Sequence, residues 1–205
     1  MVLVIASLII SYLIGSIPFG VFISKVSGID IRSHGSGNIG ATNVTRVLGR
    51  KAGLATLLFD LLKGSCAVLL GNIVVGTELA ALLCGVAAVF GHCISLPIFG
   101  RGGKGVATLL GVVITCVPLT AAIGLVIFLG IFFASRIVSL ASCVSVLAIP
   151  IVASFCGSSS EEVVVLALVS LFIVYRHRDN LKRIIEGQEH SFKAEKKGYP
   201  NFRSE

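Results

Sequence analysis

The sequence predicts an all-α integral membrane protein of about seven transmembrane helices, with its N-terminus outside and its C-terminus in the cytoplasm. Composition is the first reason. Of 205 residues, 55% are hydrophobic and 13% charged, and the mean hydropathy is +0.99, whereas about one-quarter of a soluble domain is charged. The second reason is that apolar residues run in stretches near the roughly 20 residues that cross a bilayer. The third is that Lys and Arg gather at alternate ends of those stretches.

The first apolar stretch, Leu3 to Val26, has no basic residue before it and Lys25 and Arg32 after it. That is the reverse of a cleavable signal peptide, so the segment is expected to be retained. A polar, glycine-rich stretch follows from Ser27 to Lys51. Six further apolar segments run Gly53–Val75, Glu78–Leu96, Lys104–Val117, Pro118–Ser135, Ile137–Phe155 and Glu161–Tyr175. Lys104–Val117 is short for a span and fits either by burial among its neighbours or as the first half of one helix kinked at Pro118. Beyond the last segment, Leu181, Ile184 and Ile185 recur at helical spacing among Lys182, Arg183 and Glu186. This pattern predicts an amphipathic helix at the interface. Residues 1–187 are thus expected to form the membrane domain, and residues 188–205 a polar, loose cytoplasmic tail.

Charge decides the number of spans. With seven, the connections Ser27–Lys51, Pro97–Lys104 and Ser135–Ile137 and the tail from Arg176 share a side with Lys25, and together they hold every Lys and Arg except Lys63. With six, Arg136 and the basic tail would face the other way, against the positive-inside tendency.

The formal charge of +7 is therefore explained by orientation in a bilayer and points to no nucleic acid. The six cysteines stand singly in or beside apolar segments, without zinc spacing or a disulfide framework. No metal or cofactor is expected, and no obligate protein partner is evident.

Three polar clusters fall on the expected cytoplasmic side. In the first, Ser36, Asn38, Thr42 and Asn43 interleave with Gly35, Gly37 and Gly40 ahead of Arg46. Arg46 is either a forked phosphate grip or an ordinary positive-inside arginine. In the second, Gly102, Gly103 and Gly105 surround Lys104 where a helix opens. Unpaired N–H groups at such a start, with a lysine beside them, suit an anion. No Ser or Thr follows Lys104 directly, so this is not a nucleotide P-loop. In the third, His177 and Asn180 lie three apart at the exit of the last span, hence on one face of a continuing helix.

Within the spans, Asp60 and Lys63 are three apart and either frame the site or snorkel to the interface. Ser135, Ser139, Ser142 and Ser145 read as a packing stripe on one helix, with Ser139 and Ser142 as substrate-binding candidates nearest the cytoplasm. His92 reads as a packed residue behind the site.

At these residues the sequence resembles the bacterial acyl-phosphate:glycerol-3-phosphate acyltransferase family. The matching blocks are Gly15-Ser16-Ile17-Pro18, Gly35-Ser36-Gly37-Asn38 through Gly40-Ala41-Thr42-Asn43 to Arg46, Asp60-Leu61-Leu62-Lys63-Gly64, Phe90-Gly91-His92, Gly102-Gly103-Lys104-Gly105-Val106-Ala107-Thr108, and Arg176-His177 with Asn180. The resemblance implies a seven-helix enzyme of the bacterial cytoplasmic (inner) membrane. Such an enzyme moves a fatty acyl group from acyl phosphate to the 1-hydroxyl of glycerol 3-phosphate, giving lysophosphatidic acid and phosphate. It places Ser36, Arg46, Lys104, His177 and Asn180 in the active site, with the glycine turn holding glycerol 3-phosphate and Ser142 as a further member. Either His177 or the substrate's own phosphate would take the hydroxyl proton.

Rival readings fit the residues less well. None of the four histidines precedes an Asp at the spacing of acyl-CoA acyltransferases. A small anion or phosphate-ester transporter is the alternative, but it calls for polar residues along a whole transmembrane path, whereas Glu78–Leu96 and Gly111–Ser135 stay apolar.

Overall fold

A computed structural model describes residues 1–192. Ten α-helices order the described residues: α1 (Val2–Ser16), α2 (Phe19–Val26), α3 (Ala41–Leu48), α4 (Arg50–Val74), α5 (Glu78–Cys93), α6 (Val106–Cys116), α7 (Pro118–Ser135), α8 (Val138–Phe155), α9 (Ser160–Arg176) and α10 (Arg178–Ile185). There is no strand among the described residues. The protein is all-α, as composition predicted. Among the described residues, four helical stretches are long and apolar enough to cross a membrane: Val2–Val26, Arg50–Val74, Pro118–Ser135 and Val138–Phe155. The apolar helices α5 and α6 are shorter.

Several boundaries differ from the sequence expectation, each for a local reason. The first apolar stretch is broken at Ile17–Pro18, because proline has no N–H for the helix ladder and crowds the preceding turn. The segment expected from Lys104 begins as a helix only at Val106, since Gly105 takes a left-handed φ of 87°. It ends at Cys116, and Pro118 opens α7 at the one position where a proline suits a helix. Ser135 closes α7 and donates to Ile131, so the serine stripe on a single helix is Ser139, Ser142 and Ser145 of α8 alone. The polar stretch expected as a loop contains α3, whose Val44 and Val47 pack with Val21, Ile31 and Ile39.

Packing follows membrane rules. The main core joins α4, α5, α6, α8 and α9 through residues such as Val68, Val89, Leu109, Val146 and Ile173. Gly64 and Gly111 bring α4 and α6 into backbone contact: a Cβ on either would collide with Thr108 or Leu61 of the other helix. Small residues at such crossings replace the hydrophobic drive that lipid cannot supply. Buried α6 therefore needs no lipid contact of its own to sit in the bundle.

Residues 189–192 correct the expectation of a tail loose beyond Gln188. The Phe192 amide donates to the Arg136 carbonyl at 2.7 Å, its ring meets Phe132 edge-on, and Glu189 turns back into the bundle. Residues 193–205, the rest of that tail, lie outside the described residues.

Candidate active site

A cavity of about 630 Å³ opens where the three polar clusters meet. Ser36, Asn38, Thr42, Asn43 and Arg46 line it from the first cluster, Lys104 and Gly105 from the second, and His177 and Asn180 from the third, with Ser139 and Ser142 of α8. Of the residues expected at the site, Gly102 and Gly103 alone do not line it.

Asn43 shapes the first wall. Its side-chain oxygen accepts from the Ser36 amide at 2.9 Å, and its Nδ2 donates to the carbonyls of His34 at 3.0 Å and Asn38 at 2.9 Å. With these bonds Asn43 holds the loop in shape while it lines the cavity. The Asn38 side chain likewise accepts from Gly40 N–H at 2.9 Å. Gly40 then starts α3 with no side-chain cap, and Gly105 starts α6 with none either. Two helix starts lining one cavity thus offer unpaired N–H groups and positive dipole ends.

The glycine turn is held by close contact more than by special backbone angles. Gly105 is left-handed, but Gly102 and Gly103 are not. A Cβ on Gly102 would run into the His92 and Cys93 carbonyls, and one on Gly103 into the His92 ring. Arg176, which the sequence reading left unassigned, donates to the Gly103 carbonyl at 3.1 Å and lies 3.4 Å from that of Gly102.

On the opposite wall, the His177 ring donates through Nδ1 to the Ile173 carbonyl at 2.8 Å. A carbonyl can only accept, so the neutral ring carries its proton on Nδ1 and leaves Nε2 as an acceptor. Burial, helped by the Lys104 charge, pushes the imidazole down to about 4, so the ring is neutral near pH 7.

Lys104 donates to the Asn180 side-chain oxygen, and the Asn180 amide donates to Glu189 at 2.5 Å. Glu189 also accepts from Ser139 at 2.7 Å and from Arg183 at 2.8 Å. Burial alone would raise its carboxyl, but these donors outweigh burial and hold it below the usual carboxylate range. The sequence reading missed Glu189. Glu189 shares its tail with Glu195 and Glu205, so no local signal set it apart.

The cavity changes character with depth. Below the polar rim it is walled by Leu109, Val113, Leu125, Phe128, Val146 and Ile149 of α6, α7 and α8. Leu54 and Leu57 of α4 and Leu125 of α7 line it while remaining exposed on the outer surface. A charged rim over an apolar slot suits an amphiphile whose head is an anion.

Comparison with known proteins agrees with this geometry. A family model described as glycerol-3-phosphate acyltransferase matches residues 5–187. The chain is 40% identical over 185 residues to the glycerol-3-phosphate acyltransferase of Geobacter sulfurreducens, covering 90% of this chain and 95% of that one. It is 44% identical over 185 residues to that of Bacillus cytotoxicus, covering 89% and 91%. The crystal structure of PlsY, an integral membrane glycerol 3-phosphate acyltransferase, in its glycerol 3-phosphate form superposes with a TM-score of 0.88 at 39% identity, covering 93% of this chain and 96% of that one. The lysophosphatidic acid form of the same protein gives 0.86 at 38% identity. An all-helical membrane bundle whose polar clusters converge on one cavity, matched nearly end to end by these relatives, belongs to the glycerol-3-phosphate acyltransferase family.

Proposed function

We propose that this chain transfers a fatty acyl group from acyl phosphate to the 1-hydroxyl of glycerol 3-phosphate, releasing lysophosphatidic acid and inorganic phosphate. The observation that carries this reading is one cavity reached by Arg46, Lys104 and His177 from three distant stretches of chain. Two anions need two anchors, and the uncapped starts of α3 and α6 supply them.

In this scheme Lys104, Gly105 and the start of α6 hold the phosphate of glycerol 3-phosphate, with Gly102 and Gly103 shaping the turn. Arg46, Ser36, Thr42 and the start of α3 take the phosphate of the donor. Ser142 faces the reacting carbonyl, and the acyl chain lies in the apolar slot. The 1-hydroxyl oxygen attacks the acyl carbon, the bond from that carbon to the phosphate oxygen breaks, and inorganic phosphate departs. Phosphate is already a good leaving group, so orientation and charge stabilisation supply most of what the enzyme must add.

The hydroxyl proton goes to the phosphate of glycerol 3-phosphate. Its second pKa, about 6 for a phosphate monoester, makes it a stronger base than His177 held at about 4. His177 Nε2 accepts from the 2-hydroxyl of glycerol 3-phosphate and so orients the molecule, leaving the proton of the 1-hydroxyl to the phosphate.

The chain crosses the bacterial cytoplasmic membrane about seven times in this reading, counting α1 with α2 as one span and α4 to α9 as one each. The N-terminus lies outside, while the site, α10 and residues 188–205 face the cytoplasm. Support comes from the basic residues, which sit almost wholly on one set of connections. The membrane and its lipid are then the partners, with no nucleic acid and no obligate protein.

Purified protein supplied with acyl phosphate and glycerol 3-phosphate tests the proposal. Formation of lysophosphatidic acid with release of phosphate is expected. No product overturns the enzyme reading, and equal activity with acyl-CoA overturns the donor.

A further inference from the structure

Asp60, Lys63 and His92 form a buried polar group that the chemistry above does not use. The Lys63 ammonium lies 2.8 Å from the Asp60 carboxylate, 3.1 Å from the Ile17 carbonyl and 2.7 Å from His92 Nδ1. An ammonium accepts nothing, so Lys63 donates to both the Ile17 carbonyl and His92 Nδ1, with the Asp60 carboxylate beside it as counter-charge. His92 Nδ1 is therefore an acceptor, and the neutral ring carries its proton on Nε2. That Nε2 edge faces Gly103, where a Cβ would collide with it. The His92 carbonyl also accepts from the Gly103 amide at 3.0 Å. One residue thus grips Gly103 at both its backbone and its ring, directly before Lys104.

We infer that Asp60, Lys63 and His92 are a positioning unit that sets the Gly102–Gly105 turn, and with it Lys104 and the start of α6, for glycerol 3-phosphate. The inference rests on reading that turn as the phosphate site. Stability alone is a poor reason for the group, because a buried ion pair replaced by apolar residues of similar size is often no less stable. Position is a better one. Lys63 ties the turn's support to the Ile17 carbonyl, where α1 is broken at Pro18 and membrane backbone must find a partner. Arg176 holds the turn's other side through the Gly102 and Gly103 carbonyls. The turn is clamped between an ion-paired anchor on α4 and α5 and an arginine on α9.

The test is steady-state kinetics on purified, full-length protein in detergent, with glycerol 3-phosphate and acyl phosphate varied in turn. The charge-balanced double variant Asp60→Asn/Lys63→Met should raise KM for glycerol 3-phosphate by about tenfold or more, while KM for acyl phosphate stays within about twofold. His92→Asn, which keeps an acceptor for Lys63, should lie nearer to wild type than His92→Phe. Folded variants with unchanged KM for glycerol 3-phosphate, or with kcat lowered alone, overturn the inference.

Should the double variant fail to fold, a cycle of Gly103→Ala, His92→Ala and the two combined decides. The loss caused by Gly103→Ala should be smaller once the ring is gone. Additive losses overturn the contact between them. A wild-type protein that makes no lysophosphatidic acid overturns the functional reading itself, and this inference with it.

Discussion

Lys104 donates a hydrogen bond to Asn180, a residue 76 positions further along the chain. The bond joins the glycine turn before α6 to the first turn of α10, and Asn180 passes it on to Glu189. The cation proposed to meet the substrate phosphate is thereby held before any substrate arrives, which is the preorganisation that positioning catalysis requires.

Lys104→Ala should raise KM for glycerol 3-phosphate by at least about tenfold, since a charge-assisted contact to an anion is worth roughly 1.5 to 3 kcal/mol. The variant should still fold, because Lys104 is only half-buried. Detergent-phase gel filtration with steady-state kinetics checks both points. Wild-type kinetics would remove the turn from the phosphate site.

The protein should lose stability as pH falls from about 6.5, the ordinary histidine value, towards the value of about 4 that the fold imposes on His177. In that window the unfolded chain takes up a proton that the folded chain refuses, so acid favours unfolding; above it the contribution is fully present. Glu189, held below the usual carboxylate range, adds a further loss at still lower pH. Thermal unfolding of wild type and His177→Asn across pH 4 to 7 should show a flatter curve for the variant.

Glu189→Ala should destabilise the protein by about 1 to 3 kcal/mol, because Ser139, Asn180 and Arg183 each lose their acceptor in a largely buried place. Glu189→Gln, which keeps an acceptor but no charge, should cost less. Comparing unfolding midpoints of the two variants measures the difference. Equal effects would mean that the charge matters and the hydrogen bonds do not.

The proton route can be read from the substrate. Replacing the bridging ester oxygen of glycerol 3-phosphate with a methylene gives a phosphonate with a higher second pKa. The acidic limb of the kcat/KM profile should move up with it. A limb that stays put for both substrates, yet disappears in His177→Asn, would make His177 the base.

Topology can be mapped with native and introduced cysteines. Cys156 is exposed at the end of α8, on the side proposed to face outward. It should react with a membrane-impermeant maleimide on intact cells. Ser36→Cys should react only after the membrane is opened. Labelling of both from the same side would contradict seven spans.

The helical class and most residues lining the candidate cavity were legible in the sequence because each rests on local signals. Apolar runs announce helices, and glycines beside Lys104 and Arg46 announce turns suited to an anion. Other features depended on contacts that no local pattern carries. Asn43 reads in sequence as one polar group among several ahead of Arg46, and only the fold shows its amide tied to its own loop. Gly102 and Gly103 read as part of a turn suited to an anion, yet their need is for space beside His92 and Cys93 on another helix. Glu189 sits in a tail that composition marks as loose, and only its partners on α8 and α10 draw it inward. The break at Pro18 was visible as a residue, but the lysine that serves the opened backbone lies on α4.

Leu54, Leu57 and Leu125 line the cavity and also lie exposed on the outer surface, so that, under the proposed reaction, the enzyme meets its reactants on two different scales of abundance. Glycerol 3-phosphate arrives from water and counts by molarity. The acyl donor enters from within the leaflet and counts by its mole fraction among lipids, and the product can diffuse away in that same leaflet without passing through water.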